Sequence, residues 1–465
     1  MLLTGILPIP KGNSKFIPCN SRGISILPVI TKLLNRLLLN RIRPHVDPLL
    51  RINQNGFRPE RGTREHILAM RRIIEEVINH NLPLCATFID FSKAFDSLLR
   101  SKLPNILSSY GIPHQIIKAV MSLYTNTRAT VITPEGLTLE FLTNLGILQG
   151  DVLAPFIFIV VLDFIMRNAI RDSSHGLTIN KRKSTRYPAV EISDFEFADD
   201  IAALSNSVFD NNILCQKISD SAAICGLNIN MKKTQFITFN LQDYTNDSIL
   251  PVDKSGPLRP KPHFMSGLSM HLNSIDIEEV ADFKYLGAYI RSTAADIRIR
   301  KGMAWKALNS MNTCWKSTLS RKTKIRLFKA TVESVLLYGC ETWTMSAALD
   351  CVIDGFYTRL LRRIFGISWK SHTTNRDLYG ALPKLSNIIR DRRLRFAGHI
   401  YRHDQQIANT VLFWTPSHGK RKRGHPFLTY VDVLCKDTGL SVLELKSAML
   451  DRKAWRTIVD KELDT

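Results

Sequence analysis

Two adjacent carboxylates set between apolar runs, in Phe197-Ala198-Asp199-Asp200, constrain this 465-residue chain more than any other feature. Phe195 to Phe197 precede them and Ile201 to Leu204 follow. Neighbouring side chains on one strand point to opposite faces. Two consecutive Asp residues therefore reach one point only at a tight turn between strands. Two like charges held together are costly without a cation, and carboxylate oxygens suit Mg²⁺. The run predicts a β-hairpin tip that grips a divalent metal. Taken alone, an Asp-Asp turn also suits a solvated loop.

A third carboxylate lies upstream. Leu84-Cys85-Ala86-Thr87-Phe88-Ile89 is an apolar run of strand length that ends on Asp90 and continues into Phe91-Ser92-Lys93-Ala94-Phe95-Asp96-Ser97. A charge that ends a buried strand belongs at the open edge of a sheet. There it meets the hairpin tip and completes a three-Asp site able to hold two metal ions about 3.5–4 Å apart for in-line phosphoryl displacement. Asp96 and Ser97 read as caps of the next helix. Between the acidic sites, Leu145-Gly146-Ile147-Leu148-Gln149-Gly150-Asp151 leads into an apolar stretch from Pro155 to Met166, a loop-to-helix junction. Gly150 permits close approach of a ligand to the backbone, and Gln149 carries donors and an acceptor.

In that order, D-F-S-K-A-F-D, G-I-L-Q-G-D-V-L-A-P-F and F-A-D-D resemble motifs A, B and C of reverse transcriptases, in the form found in non-long-terminal-repeat (LINE-type) retrotransposons. Ile6-Leu7-Pro8-Ile9-Pro10-Lys11-Gly12 and Asn20-Ser21-Arg22-Gly23-Ile24-Ser25 resemble the fingers motifs. Asn53-Gln54-Asn55-Gly56-Phe57-Arg58 is similar to the family's N-Q-x-G-F-R. Gly226-Leu227-Asn228-Ile229-Asn230 with Lys232-Lys233-Thr234 resembles motif D, and Phe283-Lys284-Tyr285-Leu286-Gly287 the primer grip. The likeness persists through Leu336 to Trp343 and Arg393 to His399.

The resemblance implies an α+β, right-hand polymerase architecture with partial fingers, palm and thumb, plus a helical C-terminal region. It implies RNA-directed DNA polymerase activity with template RNA, a DNA primer and deoxynucleoside triphosphates as partners. It casts Asp90, Asp199 and Asp200 as metal-binding carboxylates for two Mg²⁺ ions, with Mn²⁺ as the alternative, and Phe91 as a backbone-carbonyl ligand. Phe95 falls where the family sets an aromatic ring against the sugar of the incoming nucleotide, so that a 2′-hydroxyl is rejected. Gln149 and Gly150 line the nucleotide pocket, Lys11 and Arg22 contact triphosphate or template, and Lys233 stands near the pyrophosphate leaving group. Tyr285, Leu286 and Gly287 contact the primer. Ser21 departs from the pattern, which has an aromatic residue before the Arg.

Composition agrees with a polyanionic partner: 63 Lys and Arg against 41 acids give a formal charge of +22. From Arg291 to Ala330 eleven basic residues face one acid, Asp296. Met303, Trp305, Leu308, Trp315, Leu319, Ile325 and Leu327 supply apolar positions there, which predicts helices with a buried stripe and a basic face. Lys322, Lys324, Arg326 and Lys329 are the expected template–primer contacts; a solvated face is the other reading. Arg390, Arg392, Arg393 and Arg395 crowd together further on, and Lys420-Arg421-Lys422-Arg423 suits a nuclear localisation signal or a nucleic-acid contact. Eight scattered cysteines without a Cys-x-x-Cys pair predict reduced thiols inside the cell, in the nucleus or cytoplasm. His399 and His403 have helix-ligand spacing, but the surrounding cysteines do not match a zinc knuckle.

No signal peptide is apparent, and the apolar run Phe156 to Met166 is too short to span a membrane and contains Asp163, so no membrane partner is expected. The expected organisation is partial fingers over 1–82, a palm over 83–290, a basic helical thumb over 291–345 and an α-helical nucleic-acid-binding region over 346–465. Because the chain opens inside the fingers motifs, a LINE-type endonuclease is expected to be lacking. The alternative function is a catalytically inactive, truncated or domesticated remnant kept for nucleic-acid binding; intact Asp90, Asp199 and Asp200 argue against it. A group II intron maturase or telomerase subunit is a further alternative, disfavoured by the A-P-F end of motif B.

Overall fold

The computed structural model describes residues 3–10, 21–171, 173–181, 184, 189–241, 268–417, 419 and 427–460. Lys11, the Lys420-to-Arg423 run and most of the polar stretch from Asn240 to Gly267 lie outside them. The chain divides into two compact units, Met1–Gly62 with Pro83–Ala281, and Thr63–Leu82 with Asp282–Thr465. The helix Thr63–His80, within the stretch expected as fingers, thus belongs to the second unit.

In the first unit the Leu84–Ile89 strand is buried at every position because it is central in a six-stranded sheet. Asp200–Ser205 flanks it on one side and Gln235–Phe239 on the other, both antiparallel. Asp194–Phe197 forms one edge, and the Ile275–Glu279/Met270–Leu272 hairpin the other. A strand covered on both sides and both faces has no polar period, hence its apolar sequence, in which the one polar residue, Thr87, is buried and hydrogen-bonded to Asn211. A second sheet pairs Ser21–Ile26 with Leu3–Pro10, and Leu3–Pro10 in parallel with Arg128–Thr133.

The Ala154–Ile170 helix is buried over nearly its whole surface. Among the described residues no helix is long and apolar enough to cross a membrane. Asp163, which interrupts the apolar run, is fully buried and fully used. It accepts hydrogen bonds from the Tyr110 hydroxyl at 2.5 Å, the Arg51 backbone N–H at 2.7 Å and Arg167 Nε at 2.6 Å. The Val208–Ile224 helix docks on the sheet through Asn211, whose Nδ2 donates to the Ala203 carbonyl and whose Oδ1 accepts from Thr87 Oγ1 at 2.5 Å.

The second unit is predominantly helical. Its basic segment folds as Thr293–Ser310, Asn312–Lys316 and Arg321–Phe328. The buried stripe is not the expected one. Ile297, Ala304, Leu308, Trp315 and Phe328 are buried, whereas Met303, Trp305 and Leu319 are exposed. Hydrophobicity is a poor guide at those three positions, because apolar residues also occupy a large share of folded surfaces. Trp305 instead lies beside Phe356, with ring centroids 6.2 Å apart.

Asp296, the lone acid of that segment, is the hub of this unit. It is fully buried and accepts from Arg71 at 2.8 Å, Trp343 Nε1 at 2.9 Å and the Tyr289 N–H at 3.2 Å. Arg71 itself is 5% exposed. Burial drives the Arg71 pKa down, and Asp296 opposes that drive. Removing one partner of a buried pair leaves the other charge uncompensated, at about 3–5 kcal/mol. Asp296→Ala should therefore destabilise the second unit by about that much. All six tryptophans, at 305, 315, 343, 369, 414 and 455, belong to this unit, so tryptophan fluorescence during urea unfolding reports on it alone. An unchanged unfolding midpoint would rule out the hub role.

Candidate active site

The hairpin tip forms as expected. Asp200 pairs with Phe197 across the turn, leaving Ala198 and Asp199 as its two central residues. Ala198 adopts φ +55°, a left-handed conformation rare for a residue with a Cβ. Such strain persists only where the surroundings fix it. Here the fixing group is the buried side chain of Gln54. Its Oε1 accepts from the N–H groups of Ala198 at 3.0 Å and Gly56 at 2.6 Å. Its Nε2 donates to Glu196 Oε2 at 3.2 Å and, more weakly, to the Ala198 carbonyl at 3.4 Å. Gly56 cannot be replaced, since a Cβ there would sit 2.2 Å from the Ala198 nitrogen.

Beneath the tip, Arg51 bridges Asp194 and Glu196, each at 2.6 Å. Burial pushes both carboxyls up. For Asp194, Arg51 and neighbouring hydrogen bonds outweigh burial and hold it ionised. Glu196 stays well above the carboxylate range because burial is reinforced by the Asp194 charge. One Arg thus serves two buried acids whose proton affinities are pushed apart. Neither Gln54 nor Arg51 had a role assigned by spacing. Gln54 stands in the N-Q-x-G-F-R run, but a run does not say which distant turn its amide serves.

Asp90 leaves the end of the central strand beside this tip. Phe91 and Ile229 form an isolated antiparallel bridge, with Asn230 N donating to the Asp90 carbonyl at 2.7 Å and Ser92 N to the Asn228 carbonyl at 2.8 Å. Those bonds place Phe91 at a non-hydrogen-bonded position, so its own carbonyl plays no part in the bridge. Lys233 Nζ lies 3.3 Å from Asp90 Oδ2, and Asn230 Nδ2 also 3.3 Å from it.

Burial raises the Asp199 pKa, the Asp90 charge raises it further, and Arg22 and Lys233 pull it down. Asp200 is pushed to about 6, first by burial and then by Asp199 and Asp90, with Lys233 opposing. Ionisation of Asp200 therefore costs folding stability as pH rises from its ordinary value through about 6. The structure thus brings Asp90, Asp199, Asp200, Lys233 and Arg22 into mutual electrostatic range. Among the described residues no three His, Cys, Asp or Glu side chains are gathered closely enough to hold a metal ion. The donor set still fits a hard divalent cation: three carboxylates, two of them destabilised in their charged form.

The motif-B loop is wired to the same region. Ile147 N donates to the Phe95 carbonyl and Gly146 N to the Leu98 carbonyl, both at 2.8 Å. The Gln149 carbonyl accepts from Ser25 N at 2.6 Å, on the strand that carries Arg22. Gly150 has φ +111°, and a Cβ there would lie 2.7 Å from the Ser25 carbonyl oxygen. Gln149 Oε1 is buried without a partner. The half-buried Phe95 ring stacks on Phe158, with centroids 4.6 Å apart, and meets the Phe57 ring edge-on.

The remaining expected residues belong to the second unit. Leu286 and Gly287, at φ +45° and +85°, make the two-residue turn between Lys284–Tyr285 and Ala288–Tyr289. Tyr285 is buried, and Tyr338 Oη donates to the Leu286 carbonyl at 2.8 Å. Lys322, Arg326 and Lys329 are exposed on successive turns of one helical face. Lys324 is half-buried and donates to the Trp315 carbonyl at 2.7 Å. His399 and His403 rings lie 4.1 Å apart, and His403 Nδ1 contacts the His399 carbonyl at 2.8 Å. All seven described cysteines are unpaired as disulfides.

Residues 9–290, more than half of the chain, match the model of the reverse transcriptase (RNA-dependent DNA polymerase) family, and the chain belongs to that family. It is 24% identical over 379 residues to the Pol polyprotein of the type-1 retrotransposable element R2 of Popillia japonica, covering 80% of this chain and 48% of that protein. It is likewise 24% identical over 416 residues to the RNA-directed DNA polymerase of the mobile element jockey of Drosophila funebris, covering 84% and 40%. The Pol polyprotein of the type-2 element R2DM of Drosophila melanogaster is 24% identical over 290 residues, 61% of this chain and 25% of that protein. The chain thus spans from a quarter to about half of these relatives' length. Among solved structures, telomerase from Candida albicans with a TWJ fragment of telomeric RNA aligns at a TM-score of 0.43 with 12% identity, over 80% of this chain and 65% of that one.

The Gln54 clamp has a direct test. Gln54→Leu orphans two buried N–H groups, at about 1–3 kcal/mol each. The Ala198 and Gly56 amides should then exchange with solvent about 10- to 100-fold faster, as read by hydrogen-exchange mass spectrometry on the hairpin peptide. Wild-type exchange at both would show that the strand pairing alone holds the turn.

Proposed function

We propose that this chain is the RNA-directed DNA polymerase of a LINE-type retrotransposon, which extends a DNA primer on an RNA template with deoxynucleoside triphosphates. One observation carries the reading. In a chain of the reverse transcriptase family, Asp90, Asp199 and Asp200 converge at one end of the sheet, with Lys233 and Arg22 as their counter-charges.

In this reading Asp90, Asp199, Asp200 and the Phe91 carbonyl hold two Mg²⁺ ions, with Mn²⁺ as a substitute. Bound there, the ions would neutralise the attacking and leaving oxygens of phosphoryl transfer. The chain's own residues position the reactants. Arg22 and Lys11 hold the triphosphate or the template, and Lys233, released from Asp90, stands by the leaving pyrophosphate. The Phe95 ring, fixed by Phe158, walls the sugar pocket against a 2′-hydroxyl. Gln149, with its unpartnered oxygen, and Gly150, whose missing Cβ lets the loop pack on the Ser25 strand, line the nucleotide pocket. The Tyr285-Leu286-Gly287 turn meets the primer, and the Arg321–Phe328 helix with the turn that continues it tracks the backbone with Lys322, Arg326 and Lys329.

Residues 1–82 then serve as partial fingers, 83–290 as palm, 291–345 as thumb and 346–465 as a further nucleic-acid-binding region. Work on nucleic acid and cysteines without disulfides support a nuclear or cytoplasmic location.

Two experiments test this. Asp199→Asn or Asp200→Asn should lower primer extension on an RNA template by several orders of magnitude while template binding, measured by anisotropy, stays within about twofold, because the carboxylates hold metal rather than nucleic acid. Full extension in either variant would sink the assignment. Separately, replacing Lys322, Arg326 and Lys329 with Ala should weaken template–primer binding and flatten its dependence on log salt by about 0.7–0.9 per phosphate no longer neutralised. Lys324 is left in place because it caps the Trp315 carbonyl. An unchanged slope would mean that these charges only solvate a face.

A further inference from the structure

The four crowded arginines of the Leu385–Arg402 helix do not act together. Arg390 and Arg393 turn inward, where Arg393 Nη2 meets Asp437 Oδ2 at 2.6 Å and Arg390 Nη2 donates to the Asp437 carbonyl at 3.0 Å. Both are under 10% exposed. Arg392, Arg395 and His399 follow one another on the other face at helical spacing. They line a cavity of about 440 Å³ together with Arg64, Glu341 and Phe396.

The cavity is built rather than accidental. Glu341, buried at its base, lies 3.3 Å from Arg64 Nη1 and 4.0 Å from Arg392 Nη1, so one carboxylate anchors two guanidinium groups. The Arg64 guanidinium lies over the Phe396 ring, 5.3 Å from its centroid. Its side chain remains half exposed. Arg395 shares its charge with the exposed Asp460 at 2.7 Å. Three arginines thus face two carboxylates, and the excess is positive. The volume is far more than a lone phosphate needs. A planar cation held over an aromatic ring and half exposed has a face left for a second planar group, the way arginine receives unpaired bases.

We infer that this cavity is a binding site for one unpaired nucleotide of single-stranded RNA, with its phosphate on Arg392 and Arg395 and its base on Arg64. The inference rests on the proposal that the chain handles nucleic acid, and it adds a site in the second unit that uses none of the carboxylates. RNA bound here is held as a single strand. The site would therefore retain template that is not paired with product.

The test uses the full chain and a fluorescein-labelled oligo(A) RNA, followed by anisotropy without Mg²⁺ or deoxynucleotides. Arg392→Ala with Arg395→Ala should weaken binding and flatten the log-salt slope by about 0.7 for each phosphate no longer neutralised. The paired Lys replacements should restore the slope, which separates charge from misfolding. Arg64→Lys keeps the charge but loses the plane, and should weaken binding about tenfold at unchanged slope. Adenosine monophosphate should compete better than inorganic phosphate. Wild-type binding by Arg64→Lys, an unchanged slope in the double Ala variant, or equal competition by phosphate would each overturn the site. Because the assay needs neither metal nor extension, loss of polymerase activity leaves its outcome unaffected, and failure here leaves the polymerase reading standing.

Discussion

A single amide holds the geometry of the acidic turn at the end of the central sheet. The turn that carries Asp199 and Asp200 needs a left-handed Ala198, and Ala has no intrinsic preference for that conformation. Strand pairing alone fixes the residues on either side but not the turn's interior. Gln54 supplies the interior partners from outside the hairpin, accepting and donating at once. An ionised carboxylate of the same length could accept but not donate. The nearby Gly56 is the steric counterpart, because the segment bearing Gln54 passes so close to Ala198 that a Cβ has no place.

Two regimes of charge meet within a few residues of that turn. Under it, Arg51 pairs with Asp194 and Glu196, and Arg167 with Asp163, so each buried acid has a guanidinium partner. At the tip, Asp90, Asp199 and Asp200 repel one another, and burial adds to the cost. The fold thus pairs one set of acids closely and leaves the neighbouring set held against burial and mutual repulsion. Perturbed carboxyls in such a position mark function more often than stability.

How much of this is legible in the sequence follows from the range of the forces involved. The strand before Asp90, the hairpin at Asp199 and the glycine at 150 are readable, because each depends on a local pattern: an apolar run, a turn, a missing Cβ. The order of the motifs supplies the family. The partners of Asp163 are not readable. An acid within an apolar helix looks like an interruption until Tyr110, Arg51 and Arg167 are brought to it from distant parts of the chain. Asp296 stands out as the one exception in a basic segment, yet its role as a hub depends on Arg71 and Trp343, far away in sequence. The exposure of Trp305 and Met303 is equally hidden, since periodicity tells which residues share a face but not which face the core will choose.

The charge balance itself needs the structure before it can be read as affinity. Among the described residues, seven arginines are buried, at 58, 71, 72, 100, 300, 390 and 393, and no lysine is. The planar guanidinium explains the division, because it donates in several directions at once and is weakly hydrated, whereas an ammonium loses more on burial. Arg100 shows the use of that fork, serving the carbonyls of Gly146, Tyr124 and Thr143 as well as Thr127 Oγ1. These arginines hold loops and helices together and are withdrawn from any polyanion. The formal +22 therefore overstates the charge that nucleic acid can meet. What remains outside is a smaller, patterned set in which Lys322, Arg326 and Lys329 form a row and Arg392 and Arg395 edge a cavity. The first set is spread along a helical face and the second gathered around Glu341, so the two differ in how closely their charge is focused.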